Sequence, residues 1–195
     1  MAHPTQVEPE RWANGGGWTR TLLAWPDPAR WALRISVADV ERAGPFSVFP
    51  GVDRWFAVLE GDGVRLAFPE RTLNLRQGEA PLRFDGADAP DCTLLGGPTR
   101  DLNVMVRHAR AESLVTAASF LDEAEPGTSP GFGFFALQPL ALHGAGALPV
   151  RMPALSLAWC ESPFDASHAW SVEPLDAAQE HTLPGYWIRL LPHAR

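Results

Sequence analysis

The sequence predicts an all-β protein, an antiparallel sandwich or barrel, and three observations predict it. Nineteen prolines and seventeen glycines interrupt the chain every few residues, which leaves few stretches long enough for a helix. The apolar runs between these breaks are short, and several alternate in the two-residue rhythm of a strand. Many short strands with regular turns are the pattern of sandwiches and barrels. At 195 residues and 46% hydrophobic content, the chain is long enough to bury a core without disulfide staples.

The strand candidates follow in chain order. Over residues 31–38, Trp31, Leu33, Ile35 and Val37 point one way and Ala32, Arg34, Ser36 and Ala38 the other. Residues 55–59 are continuously apolar, as in a strand covered on both faces. Residues 60–63 (EGDG) form a turn, and 64–68 return as the second arm of a hairpin. Residues 72–75, 80–84, 92–95 and 102–106 read as further short strands, with a break at 96–98. Residues 110–121 form the best candidate for a helix or a crossing between lobes. Residues 122–130, acidic and rich in turn formers, read as a linker. The strand rhythm resumes over 132–137, 155–160 and 186–191. The expected organisation is a first lobe over 1–112 that carries the pocket, and a second β lobe over 113–195 packed against it as one compact unit.

Charge narrows the function. The net charge of -7 argues against nucleic acid and against anionic membrane as partners. No apolar run approaches the roughly 18 residues of a membrane span. The first residues lack the apolar segment of a secretory signal, so a cytoplasmic location is expected. Cys92 and Cys160 have no metal-type spacing and read as free, buried thiols. All the basic residues are arginine, and most of them lie before residue 109. An anion site is therefore to be sought in the first half.

The common catalytic signatures are absent. The histidines form no HxH, HxxxH or HExxH pair, and there is no CxxC, so neither a metal nor another cofactor is expected. No GxGxxG, P-loop or GxSxG motif occurs. The glycines at 15–17 admit two readings: a flexible turn, or backbone brought close to a ligand or another strand, which glycine alone allows. Around them Trp12 and Trp18 offer apolar walls, and Asn14, Thr19 and Arg20 polar tips. Arg34 and Ser36 share a face with small residues, which leaves room beside them. Residues 45–47 and 49–54 bracket a turn, where Asp53 and Arg54 could pair with each other or with the chain, and Arg100, Asp101 and Asn103 open a strand. Arginines on separate strand ends, each near an amide or hydroxyl, suit a carboxylate, which guanidinium grips through paired hydrogen bonds.

The same segments resemble the HutD/Ves family of bacterial proteins. The matching stretches are WANGGGWTR (12–20), WALRISVA (31–38), GPFS (44–47), FPGVDR (49–54), LEG (59–61), PLRFDG (81–86) and GPTRDLNVM (97–105). They run in order over roughly the first half, while the remainder matches loosely. The resemblance implies a cupin-type β-barrel (a double-stranded β-helix) in a two-lobed, bicupin-like arrangement. It also implies that the usual cupin metal ligands are missing. HutD members are associated with histidine utilisation and with binding of a metabolite such as N-formylglutamate, and Ves members with stress responses.

The expected function is non-catalytic binding of a small anionic metabolite. The expected ligand-binding residues are Asn14, Trp18, Thr19, Arg34, Ser36, Asp53, Arg54, Arg100, Asp101 and Asn103. The alternative is a metal-independent isomerase or hydrolase acting on a small organic acid, with Asp101, Asp53 or Glu60 as acid or base. Exposed sheet edges need cover, so a homodimer is expected. Arg34 poses a choice. If its face points outward it matters little; if it points into the barrel, the guanidinium needs an anion, either Asp53, Asp101 or a ligand.

Overall fold

The computed structural model describes residues 1–109, 111–120, 123–124, 129–144, 148–161 and 169–191. These residues are strands, turns and two short 3-10 helices, so the expected all-β class holds. The chain divides into two compact units, one of residues 4–112 and one of residues 1–3 with 113–195.

The first unit holds β1 (Glu10–Arg11), β2 (Gly17–Trp25), β3 (Leu33–Val40), β4 (Gly44–Pro45), β5 (Val52–Glu60), β6 (Val64–Ala67), β7 (Thr72–Leu75), β8 (Leu82–Asp85), β9 (Asp91–Leu94) and β10 (Thr99–Arg107). They form a six-stranded sheet in the order β1-β2-β3-β10-β5-β8 and a four-stranded sheet in the order β4-β9-β6-β7. Every pairing is antiparallel. Phe56 and Val58 of β5 pack with Val64 and Leu66 of β6, Leu75 of β7 and Cys92 of β9, which places the core between the two sheets.

Register then fixes which side chains face that interior. Phe56 lies opposite Asn103, and Asn103 opposite Ser36. Alternation carries the inner face along β3 through Arg34, Ser36 and Ala38, and along β5 through Arg54, Phe56 and Val58. Leu33, Ile35 and Val37 take the other face of β3 and are fully buried as well. The residue 55–59 run is covered on both faces as expected, with Ala57, Val58 and Leu59 all buried.

Two glycines are required by close approaches. At Gly17 a Cβ would sit 2.2 Å from the Asp39 carbonyl oxygen, so β2 can press against β3 there only without a side chain. The second reading of the glycine run is therefore the correct one at Gly17. The hairpin expected of residues 55–59 and 64–68 does not form: after β5 the chain crosses to the other sheet, where β6 pairs with β7 and β9. Gly63 lies at that crossing with a φ of 108°, and a Cβ there would meet the Leu75 carbonyl oxygen at 2.4 Å.

The second unit holds β11 (Glu112–Ala117), β12 (Glu123–Ala124), β13 (Gly131–Ala136), β14 (Leu140–His143), β15 (Val150–Met152), β16 (Leu157–Glu161), β17 (Trp170–Pro174) and β18 (Gly185–Leu191). Its sheets run β11-β18-β13-β16 and β12-β17-β14-β15. Phe132, Phe134 and Trp187 fill the interior with Leu140, Met152 and Val172. Phe132 stacks on Trp187 with centroids 5.4 Å apart, and Trp170 meets Phe132 edge-on at 5.3 Å.

Of the two readings of residues 110–121, the helix is not formed, while the division between the two units does fall within the stretch, at residues 112/113. Its residues 112–117 are β11, next to β18. Ser113 and Val115 are buried, while Glu112, Leu114 and Thr116 are exposed. That is a two-residue period, and the docked strand overrides any weak helical preference. Part of the expected linker, residues 123–124, is a strand paired with β17. Residues 110, 121–122 and 125–128 lie outside the described residues.

Candidate functional site

A cavity of about 410 Å³ opens within the first unit, inside the usual range for a small-molecule site. Its floor is the inner face of the large sheet. Arg34, Ser36, Ala38 and Val40 come from β3, Arg54 and Phe56 from β5, and Asn103 and Met105 from β10. One wall is the β1–β2 hairpin, with Glu10, Arg11, Trp12, Ala13, Asn14 and Thr19. The other is the segment around β4, with Pro45, Phe46, Ser47 and Phe49.

The hairpin wall is held by local hydrogen bonds. The Trp12 indole donates to Thr19 Oγ1 at 2.8 Å, and the Gly16 N–H donates to Asn14 Oδ1 at 2.9 Å. The Trp12 N–H donates to the Gly17 carbonyl at 3.0 Å. These bonds turn the Asn14 amide oxygen toward the loop backbone and fix the indole against the pocket side of β2.

The floor is cationic. Arg54 is only 6% exposed. Its Nη2 donates to Asn103 Oδ1 at 2.8 Å and its Nη1 to the Ser47 carbonyl at 3.4 Å, while its Nε has no partner. The guanidinium lies over the rings of Phe46 and Phe84, with centroids 4.9 and 5.1 Å away. Ring faces give some electrostatic relief but no counter-charge. Burial, and then the charge of Arg34, push Arg54 down to about 10. Arg34 makes one weak bond, from Nη2 to Met105 Sδ at 3.4 Å, and its Nε also lacks a partner. Burial lowers its pKa, Glu10 opposes the shift and Arg107 adds to it. Among the described residues neither arginine forms an ion pair.

The expected site residues divide on this geometry. Asn14, Thr19, Arg34, Ser36, Arg54 and Asn103 line the cavity; Trp18, Asp53, Arg100 and Asp101 do not. The first three of these exceptions are strand neighbours of an inward residue and so face the other way. Trp18 lies beneath the Arg11 guanidinium, 4.8 Å from ring to cation. Asp53 accepts from Arg83 at 2.5 Å and lies 3.4 Å from His108 Nε2. Arg100 bonds Asp39 at 2.7 Å and Glu60 at 3.1 Å. Arg20 also bonds Asp39. Burial opposes ionisation of Asp39, yet hydrogen bonds from Arg100 and Arg20 hold it below the usual carboxylate range.

Asp101 is on the inner face but sits behind the cavity wall, fully buried. Its Oδ2 accepts from the Thr99 hydroxyl at 2.9 Å, and its Oδ1 has no partner. Burial pushes its pKa up to about 8, against the Thr99 bond, with the charge of Asp39 adding to the rise. A folded-state value above the unfolded one means the native protein holds a proton that the unfolded chain has lost. Stability from this group is thus full at acid pH and drains as pH rises toward about 8. Wild type should lose about 2 kcal/mol relative to Asp101→Asn between about pH 6 and pH 7.5. Denaturant unfolding of both proteins at the two pH values measures this, and parallel behaviour would contradict it.

Sequence reasoning passed over Glu10, Phe49, Phe56 and Met105. Met105 and Phe56 follow from strand alternation once Asn103 and Arg54 are placed inward. Glu10 and Phe49 come from the hairpin and loop, where no periodicity marks them. Among the described residues no three His, Cys, Asp or Glu side chains converge as metal ligands, and no helix is long and apolar enough to cross a membrane. Both cysteines are free, but only Cys92 is buried; Cys160 is partly exposed.

The paired antiparallel sheets and the pocket floored by two arginines define a cupin-type β protein with a cationic interior site. The chain belongs to the HutD family, whose sequence pattern matches residues 4–171. It is 40% identical over 101 residues to an uncharacterized 21.2 kDa protein in the hutC 3′ region of Pseudomonas putida, covering 48% of this chain and 50% of that protein. It is 35% identical over 109 residues to protein Ves of Citrobacter koseri, covering 55% and 57%. The chain thus spans about half the length of these curated relatives. The structure of HutD from Pseudomonas fluorescens SBW25, in a formate condition, superimposes with a TM-score of 0.82 at 21% identity, covering 99% of this chain and 98% of that one. An oxalate decarboxylase variant of Bacillus subtilis gives 0.63 at 7% identity over 100% and 77%, a likeness of fold alone.

Proposed function

We propose that the pocket of the first unit binds a small carboxylate metabolite of the N-formylglutamate type, and that the protein uses this binding in the cytoplasm to restrain histidine utilisation. One observation carries the reading: two inward arginines, one of them almost wholly buried, share a cavity with no acid paired to either among the described residues. Buried cations are tolerated when paired, and a ligand carboxylate supplies the missing charge. Of the three partners considered for Arg34, Asp53 is engaged by Arg83, and Asp101 bonds Thr99 behind the wall. Ser36, Thr19 and Asn103 add neutral polar groups for the rest of the ligand, and Phe46, Phe49 and Phe56 an apolar surround. Family membership and the position of the Pseudomonas putida relative beside hutC support the link to histidine utilisation.

Calorimetric titration with N-formylglutamate, glutamate, urocanate and formate tests this reading. Heat and a rise in melting temperature with N-formylglutamate are expected. No heat and no thermal shift with any of the four at millimolar concentration would remove it.

A further inference from the structure

We infer that Asp101 is a proton switch on the two-arginine pocket: with its carboxyl neutral the pocket holds an anion, and with it ionised the pocket lets the anion go. The inference rests on the carboxylate reading above and adds regulation to it.

The placement of Asp101 carries the argument. It belongs to β10, flanked by β3 and β5, opposite Ala38 of the cavity wall and Val58 of the core. Two residues along the same face is Asn103, which accepts the Arg54 hydrogen bond. Residues i and i+2 on a strand lie about 7 Å apart, so an ionised Asp101 would stand one such spacing behind the Asn103 amide that holds Arg54. Its carboxyl is fully buried, with one oxygen held by Thr99 and the other unpartnered. Ordinary structural acids in this protein look different: Asp39 and Asp53 are each gripped by arginine.

The groups around Asp101 leave it as the one that changes charge near neutrality. From β3, Asp39 contributes a standing negative charge. From β9, the Cys92 thiol is pushed by burial, and then by Asp101, to about 12, so it stays neutral. On β5, Val58 is apolar, and Glu60 is exposed and paired with Arg100. On β6, Val64 and Leu66 are apolar. On its own strand, Thr99 is a hydroxyl and Arg100 is engaged by Asp39 and Glu60. Arg54 and Arg34 remain as the inner-face cations. Ionised Asp101 would draw on the charge that holds the ligand and would repel the ligand itself. Across about 10 Å at an effective dielectric of about 20, that repulsion weakens binding roughly tenfold.

The test is calorimetry with N-formylglutamate and formate at about pH 6, 7.5 and 9, on wild type and Asp101→Asn. Wild-type affinity should fall roughly tenfold by the highest pH, while the variant, which keeps an acceptor for Thr99, stays level. At pH 8, titrations in buffers of different ionisation heat should show wild type taking up part of a proton on binding. This second measurement stands alone if Asp101→Asn does not fold. Binding that is independent of pH, with no proton uptake, would overturn the switch and leave the carboxylate reading intact. A fall with pH that persists in Asp101→Asn would assign it to Arg54 and overturn the switch too. Absence of binding at every pH would overturn both.

Discussion

Arg54→Ala is expected to weaken carboxylate binding by about 30-fold or more, the effect of truncating a buried charged clamp worth about 2–5 kcal/mol. The side chain is buried, and its Nη2 is committed to Asn103. Its unpartnered Nε adds to a guanidinium for which the described residues provide no acid. Arg34→Ala should cost well over tenfold for the same reason, with less disturbance of the fold, because beside the weak bond to Met105 Arg34 only overlies the rings of Trp31 and Phe49. Arg34→Lys should rescue in part, since an ammonium restores charge but not the planar fork. Titration calorimetry gives the affinities, and circular dichroism checks that each variant is folded. Unchanged affinity in both alanine variants would place these side chains outside the site.

Phe134→Ala should destabilise the second unit by about 3–5 kcal/mol while leaving anion affinity unchanged. The ring is fully buried and lies 4.6 Å from the Trp187 ring. Gly185 is shaped to it, since a Cβ at that position would come within 2.6 Å of Phe134 Cζ. Deleting so large a buried ring forfeits its transfer energy and leaves a cavity that its aromatic neighbours only partly refill. Denaturant unfolding measures the first effect and titration the second. A loss of affinity with stability retained would tie this interior to the pocket.

What the chain reveals before folding is mostly local. The alternation over residues 31–38 announces β3 and separates Arg34 and Ser36 from Leu33, Ile35 and Val37, because a strand has a strict period of two. The same rule shows where the site was less legible. Asp53 with Arg54, and Trp18 with Thr19, are neighbours, and neighbours on a strand cannot share a face. Which member turns inward depends on pairing with distant strands, as when Arg54 meets Asn103 across 49 positions. Glu10 enters the wall only because the β1–β2 hairpin folds over the sheet. Around residues 110–121, weak helical preference and strand alternation overlap, and only docking against β18 decides between them.

The two arginines sit inside a chain whose net charge is -7, and the opposition of those signs acts as a range filter. Far from the surface an anion meets the field of the whole molecule, which repels it. Close to the mouth it meets guanidiniums set behind low-dielectric walls. Salt at physiological strength shortens the outer field to about 8 Å but reaches the buried cations far less. Ionic strength therefore removes the barrier to approach before it loosens the grip. At physiological ionic strength a small anion should therefore reach the two arginines more readily than in dilute buffer, while a polyanion too wide for the cavity should stay outside under either condition.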